Sequence, residues 1–289
     1  MECLPEDCMT IRIVTDSTAD IPQEKAQALG ITVVPLTVFF GEEAYLDGVE
    51  LDNAGFYRKL QVSKASPRTS QPSPAAFREA YKKLMSEGAD VILSVHLSSK
   101  LSGTYQSACN GRVALSEDMT KISIDIVDSE SVSLAMGVPI MQAAEEARQG
   151  FGLEEIKAHL LDRLSRTRIL FVLDTLEYLR RGGRIGGARA LLGNMLSVKP
   201  ILSIKNGQVV AVEQPRTRNK AYARIAQLIR EVGKAEQIFI VESDDEVGQQ
   251  LAQALRETYV AEIPIYKLGA VVGTYAGPAA VGVAYVTPR

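Results

Sequence analysis

Residues 12–29 read RIVTDSTADIPQEKAQAL, and this stretch decides the fold class. Residues 12–15 read as a buried strand. Asp16-Ser17-Thr18 makes a polar turn. Residues 21–29 then carry a helical pattern, with Pro22 near its start, where a missing N–H is harmless. A strand, a turn and a helix in that order open an alternation that argues for a mostly parallel sheet.

The alternation continues outward from this stretch. Residues 31–40 are a strand region interrupted by Pro35, and residues 53–60 a short helix. Residues 64–74 (KASPRTSQPSP) read as a loop, with three Pro and three Ser in eleven positions. Phe77, Tyr81 and Leu84 at i, i+4 and i+7 predict a helix over 74–87. Residues 91–95 form a strand, a helix opens from Ser102, residues 122–127 form another strand, and a helix over 138–149 stops at Gly150 and Gly152. A second unit begins near Thr167. It holds a strand at 169–173, a hairpin of 199–204 and 208–213 around Asn206-Gly207, helices at 220–232 and 246–258, and strands at 237–241, 263–268 and 282–286. The expected architecture is α/β: a mostly parallel N-terminal α/β domain over 10–165, then a C-terminal α+β domain with a mixed sheet over 166–289.

A chain of 289 residues, 46% hydrophobic and 23% charged, can bury a sizeable core. A net charge of −3 argues against a nucleic-acid partner. Cys3, Cys8 and Cys109 are too few for a disulfide framework and suit a reducing cytoplasm. Residues 1–9 read as a short tail without a signal-peptide pattern, with Met9 a candidate second start. No run approaches the roughly 18 apolar residues that would cross a bilayer. A cytoplasmic protein without an integral membrane segment is expected.

The sequence contains no P-loop, no G-x-S-x-G elbow, no CxxC and no HExxH, so metal binding has little support. His159 falls on a helical pattern and reads as structural; His96 closes a strand and reads either as a packing residue or as a general base. Three loops are rich in hydroxyls: Asp16-Ser17-Thr18, Thr69-Ser70, and Ser98-Ser99 with Ser102-Gly103-Thr104. Two of them follow strand ends, where open α/β sheets bind ligands. They could cradle a carboxylate or phosphate, or serve only as caps and turns. Farther on, LEYLRRGGRIGGARALLGNML (176–196) crowds Arg180, Arg181, Arg184 and Arg189 around Gly182, Gly183, Gly186 and Gly187. This is either a solvated basic face or a place where an anion docks, with Arg216 and Arg218 adding to it. The glycines argue for tight turns or close backbone approach.

TDSTAD (15–20), TSQPSP (69–74), LSSKLSGTYQSA (97–108), LEYLRRGGRIGG (176–187), KPIL (199–202), RTR (216–218) and GTYAGPAAVG (273–282) occur in this order. Together they resemble the DegV family over nearly the whole chain after Met9. The resemblance implies two α/β domains that hold a long-chain fatty acid as ligand, with no cofactor. It implies a binding protein rather than a self-sufficient enzyme, which presents the acid to a separate fatty acid kinase for acyl-phosphate formation. It implies that Thr69 and Ser102 hydrogen-bond the carboxyl head, with Ser70 and Thr104 beside them. Tyr275 stands where the family usually has His, and Ala279 where a Gly is common. Tyrosine can donate a hydrogen bond, but at a pKa of about 10 it is no proton shuttle at neutral pH. Residues 134–141 and 190–198 are candidate tunnel walls, or plain core. Arg181, Arg184 and Arg216 are the candidates for kinase or phosphate docking. The alternative is a hydrolase or phosphotransferase acting on a small anion through His96 and the Arg-rich segment. A third reading is a regulatory module that docks through the basic segment.

Overall fold

The computed structural model describes residues 9–115, 122–191, 198–256, 259 and 262–289. The first half runs β1 (Ile11–Asp16), a 3-10 turn (Ser17–Ala19), α1 (Gln23–Leu29), β2 (Thr32–Val34), β3 (Thr37–Phe40), β4 (Glu43–Leu46), α2 (Asn53–Val62) and β5 (Arg68–Ser70). It continues with α3 (Pro74–Ser86), β6 (Val91–His96), α4 (Thr104–Val113), β7 (Ser123–Asp128), α5 (Leu134–Arg148) and α6 (Leu153–Arg166). The second half runs β8 (Thr167–Val172), α7 (Glu177–Arg181), a 3-10 segment (Gly186–Leu191), β9 (Ile201–Lys205), β10 (Gln208–Glu213) and α8 (Arg218–Glu231). It ends with β11 (Gln237–Glu242), α9 (Asp245–Arg256), β12 (Ile265–Lys267), α10 (Ala270–Ala276) and β13 (Val281–Val286).

The N-terminal sheet is parallel throughout, in the order β2-β1-β6-β7. The strand order turns back at β1 and β6, so the loops after Asp16 and His96 flank the crevice where such sheets receive ligands. The C-terminal sheet is mixed, in the order β10-β9-β8-β13-β11-β12, with only β11 and β12 parallel. Both sheets match the expected α/β and α+β classes.

Proline and glycine chemistry explains much of the local structure. Pro35 cannot donate to a ladder, and the predicted strand region splits around it. β2 joins the parallel sheet, while β3 starts a separate antiparallel sheet in the order β4-β3-β5. β5 lies inside the stretch expected to be a loop. Its three residues have no strand pattern of their own; β3 supplies the ladder, pairing Thr37 with Ser70 and Val38 with Thr69. α3 starts as the sequence suggests, with Pro74 in its first turn and the Ser73 side chain accepting from Ala76 N. At the β9–β10 turn, Asn206 and Gly207 both take positive φ, 50° and 75°, as a two-residue hairpin requires.

α5 begins at Leu134 rather than 138, with Ser133 as its N-cap. Residues 134–141 are buried on every side of this helix, the mark of a helix enclosed by protein rather than half exposed. They belong to the largest core cluster, which joins Ile13 and Val95 of the parallel sheet to Ile169 and Ala284 of the mixed sheet. A second cluster packs α8 and α9 on the opposite face of the mixed sheet, through Leu170, Val172, Ile225 and Leu251. β8 therefore alternates: Ile169 and Phe171 face one way, Leu170 and Val172 the other.

Candidate functional site

The first face of the mixed sheet closes over a cavity. About 880 Å³ of space lies between its walls, open solvent at its mouth included. Ile169, Phe171 and Leu173 form one wall, with Ile204 and Val209 from the hairpin beside them. Val271, Val272 and Ala276 of α10 form another. Leu97 and Leu101 enter from the loop after β6. The polar side chains on this lining are Thr18, Thr69, Ser102, Ser133, Arg184 and Tyr275.

These polar groups come from distant segments, and side-chain contacts hold the segments together. Thr69 Oγ1 and Tyr275 Oη share a hydrogen bond of 2.6 Å. The Ser102 hydroxyl pairs with Thr104 Oγ1 at 2.9 Å. Gly103 lies so close to Gln71 that a methyl on it would sit 2.6 Å from the amide oxygen, which seats the loop of Ser102 against that of Thr69. The hairpin turn is pinned to the same region: Ser98 Oγ donates to Gly207 O at 2.8 Å, and Lys100 Nζ to Asn206 O at 2.8 Å.

Tyr275 is clamped by the Arg- and Gly-rich segment. Its ring covers Gly182, where a methyl would lie 2.5 Å from Cε1 and nearer still to Cδ1. The converse contact exists too: the Tyr178 ring covers Gly277, whose methyl would lie 2.7 Å from Cε2. The Arg184 guanidinium stacks 5.1 Å from the centre of the Tyr275 ring. Arg184 Nε also donates to Leu101 O at 3.0 Å, and Nη1 to Gly182 O at 2.6 Å. One arginine thus touches the segments that carry Ser102, Gly182 and Tyr275.

The family model described as "Uncharacterised protein, DegV family" matches residues 10–288. The chain belongs to the DegV family. A DegV domain-containing protein of Deinococcus radiodurans is 40% identical over 281 residues, covering 96% of this chain and 98% of that one. Among solved structures, a fatty-acid-binding DegV family protein of Thermus thermophilus is 36% identical, with a TM-score of 0.86 over 97% of this chain and 100% of that one. DegV of Bacillus subtilis, a fatty acid binding protein, is 34% identical, with a TM-score of 0.84 over 97% of this chain and 100% of that one. A stearic-acid-binding protein of Eubacterium ventriosum is 26% identical, with a TM-score of 0.86 over 96% of this chain and 98% of that one.

Of the residues marked in the sequence as DegV candidates, Thr69, Ser102, Tyr275 and Arg184 line the cavity. Ser70 does not: it is exposed on the other side of β5, as strand alternation demands. Thr104 is buried behind Ser102 and supports it rather than facing the cavity. Arg184, a candidate for kinase or phosphate docking, turns inward onto Tyr275. Arg181 and Arg216 are exposed. Arg181 pairs with Glu177 at 2.7 Å and donates to Ser66 Oγ at 3.2 Å. Residues 134–141, a candidate tunnel wall, are core instead. Of 190–198, residues 192–197 lie outside the described residues, while 190, 191 and 198 do not line the cavity.

His96 is fully buried. Its Nδ1 meets Asp16 Oδ2 at 3.0 Å and its Nε2 meets Ser94 Oγ at 2.7 Å. Both ring nitrogens are engaged inside the core, so the base required by the hydrolase alternative does not face the cavity. His159 pairs with Glu146 on the α5–α6 surface at 3.1 Å. Among the described residues, no cluster of three or more His, Cys, Asp or Glu side chains could hold a metal, and no helix is long and apolar enough to cross a membrane. Sequence reasoning missed Ser133, which lines the cavity beside Thr18. No motif marked it; its backbone, at φ 58° and ψ −150°, is the signal, and only the structure shows it.

Proposed function

We propose that this protein binds a long-chain fatty acid in the cavity, with the carboxyl held at Thr69, Ser102 and Tyr275. The observation that carries the reading is an apolar chamber whose polar lining includes the linked pair Thr69–Tyr275. Solved DegV relatives named for fatty acid binding share the fold. Neutral hydroxyls suit this role, because an unpaired full charge in an apolar site is costly. Arg184 is already engaged with carbonyls and a ring, and it sets a positive field beside Tyr275. The tail supplies most of the affinity. At about 0.8 kcal/mol per buried methylene, about fourteen of them contribute roughly 11 kcal/mol gross, from which association takes back several kcal/mol.

In this reading the protein is a carrier in the cytoplasm rather than an enzyme. It presents the acid to a separate kinase that forms the acyl-phosphate, and the exposed Arg181 and Arg216 form the docking face. The division into units 10–165 and 166–289 puts the cavity between them. Protein purified from bacteria without delipidation, extracted under denaturing conditions and examined by mass spectrometry, should release close to one fatty acid per chain. Folded protein that releases none refutes the reading.

A further inference from the structure

Behind the Thr18–Ser133 wall lies a buried acid that the binding site does not touch. Asp20 follows the 3-10 turn in a left-handed conformation, φ 52° and ψ 30°. The Ser133 hydroxyl donates to its Oδ2. Gly269 N, at the start of α10, donates to its Oδ1 at 3.0 Å. Asp47 Oδ1 accepts from the next amide, Ala270 N, at 3.3 Å. Ser133 occupies a backbone region that is nearly reserved to glycine, φ 58° and ψ −150°, and that persists only where the surroundings enforce it. The corner is also tight: Gly137 presses on Ala19 O, leaving no room for a methyl.

We propose that Asp20 is a positioning residue for the cavity: its carboxyl ties the Ser133 corner to the first turn of α10 and so sets where Tyr275 meets Thr69. The proposal rests on the fatty-acid reading for its ligand, whereas the tie itself can be tested without one. Burial, and then the neighbouring Asp47, push the Asp20 carboxyl up to about 8, against the Ser133 and Gly269 hydrogen bonds and with a further push from Asp16. Asp47 is itself pushed up to about 6, mainly by burial. The groups that face Asp20 are acidic on every side: Asp16 in its own turn, Asp47 after β4, and the Tyr57 hydroxyl of α2, held well above its ordinary value by burial and by Asp20. Lys267, two residues before Gly269, places its ammonium on Glu242 and Asp245 instead. The Asp20 carboxyl therefore keeps its proton to higher pH in the folded protein than in the unfolded chain. The folded state binds the extra proton between the ordinary carboxylate value and about 8. Stability from this group is full at low pH and is lost as pH rises through that window.

The test uses delipidated protein, a dansylated undecanoic acid probe, and titrations between about pH 6.5 and 9. Wild-type affinity should fall by roughly fivefold or more across that range, a coupling of ordinary size. Asp20→Asn, which cannot ionise, should flatten the profile. Asp20→Ala should weaken binding at every pH and speed amide hydrogen exchange in residues 270–276. Coincident pH profiles for wild type and Asp20→Asn, or unchanged exchange in Asp20→Ala, would overturn the proposal. If wild type binds no probe, the fatty-acid reading fails, and the exchange measurement still decides whether Asp20 holds α10.

Discussion

A single added methyl at Gly182 tests the architecture of the proposed head-group site. Gly182 has φ −75° and ψ −9°, so its backbone accepts alanine without strain. Only space forbids it. The new carbon would lie 2.5 Å from Tyr275 Cε1, whereas unstrained carbons stay about 3.5–4.0 Å apart. The ring must therefore retreat by roughly 1 Å. The Thr69–Tyr275 hydrogen bond is 2.6 Å long, and a displacement of that size carries it to the edge of bonding range, about 3.5 Å. Overpacking of this kind destabilises by about 1–3 kcal/mol. Losing the aligned head-group bond adds about 1–2 kcal/mol to the binding free energy, or roughly 5–30-fold in Kd. Calorimetric titration of palmitate, with thermal melts of the same samples, measures both. The decisive control is Tyr275→Ala, which removes the ring that the methyl strikes. In that background Gly182→Ala should be nearly silent, giving a strong coupling in the double-mutant cycle. Equal effects in both backgrounds, or wild-type affinity in the single mutant, would refute the reasoning.

Two further outcomes are expected. Saturated acids shortened from palmitate should lose affinity by about 0.8 kcal/mol per methylene removed; a flat series in competition titrations would show that the tail is not buried. His96→Ala should lower stability by roughly 2–5 kcal/mol, because it opens a buried cavity and removes the hydrogen-bond partner of Asp16 Oδ2 and Ser94 Oγ. The folded fraction should still bind palmitate, and a protein that unfolds no more readily but loses its ligand would give His96 a direct role.

Much of this architecture was legible because its signals are local. Asn206-Gly207 needs only two residues to mark a hairpin, and Pro35 breaks a strand by lacking one N–H. Phe77, Tyr81 and Leu84 show the buried face of α3 through their spacing alone. β5 was hidden because its extended shape comes from β3, a partner more than twenty-five residues upstream. α10 and α7 are too short to show a period. The cavity walls were not legible either. Alternation in β8 separates Ile169 and Phe171 from Leu170 and Val172, but it does not say which set faces packed helices and which an open chamber. Arg184 looked like its neighbours Arg180 and Arg181; only the fold shows that it turns inward. The loops of Thr69 and Ser102 stand out by their hydroxyl content, but the choice of these two residues within them comes from the DegV resemblance.

The paired tyrosines and glycines of α7 and α10 also bear on how this chain can evolve. Tyr178 lies on Gly277 while Tyr275 lies on Gly182, so each motif supplies both a bulky partner and a gap. A side chain gained at Gly182 demands that the Tyr275 ring give way at the same time, whereas Gly277 is fixed twice, by the Tyr178 ring and by its own φ of 75°. Grafting one block from a distant relative should therefore succeed best when its counterpart travels with it.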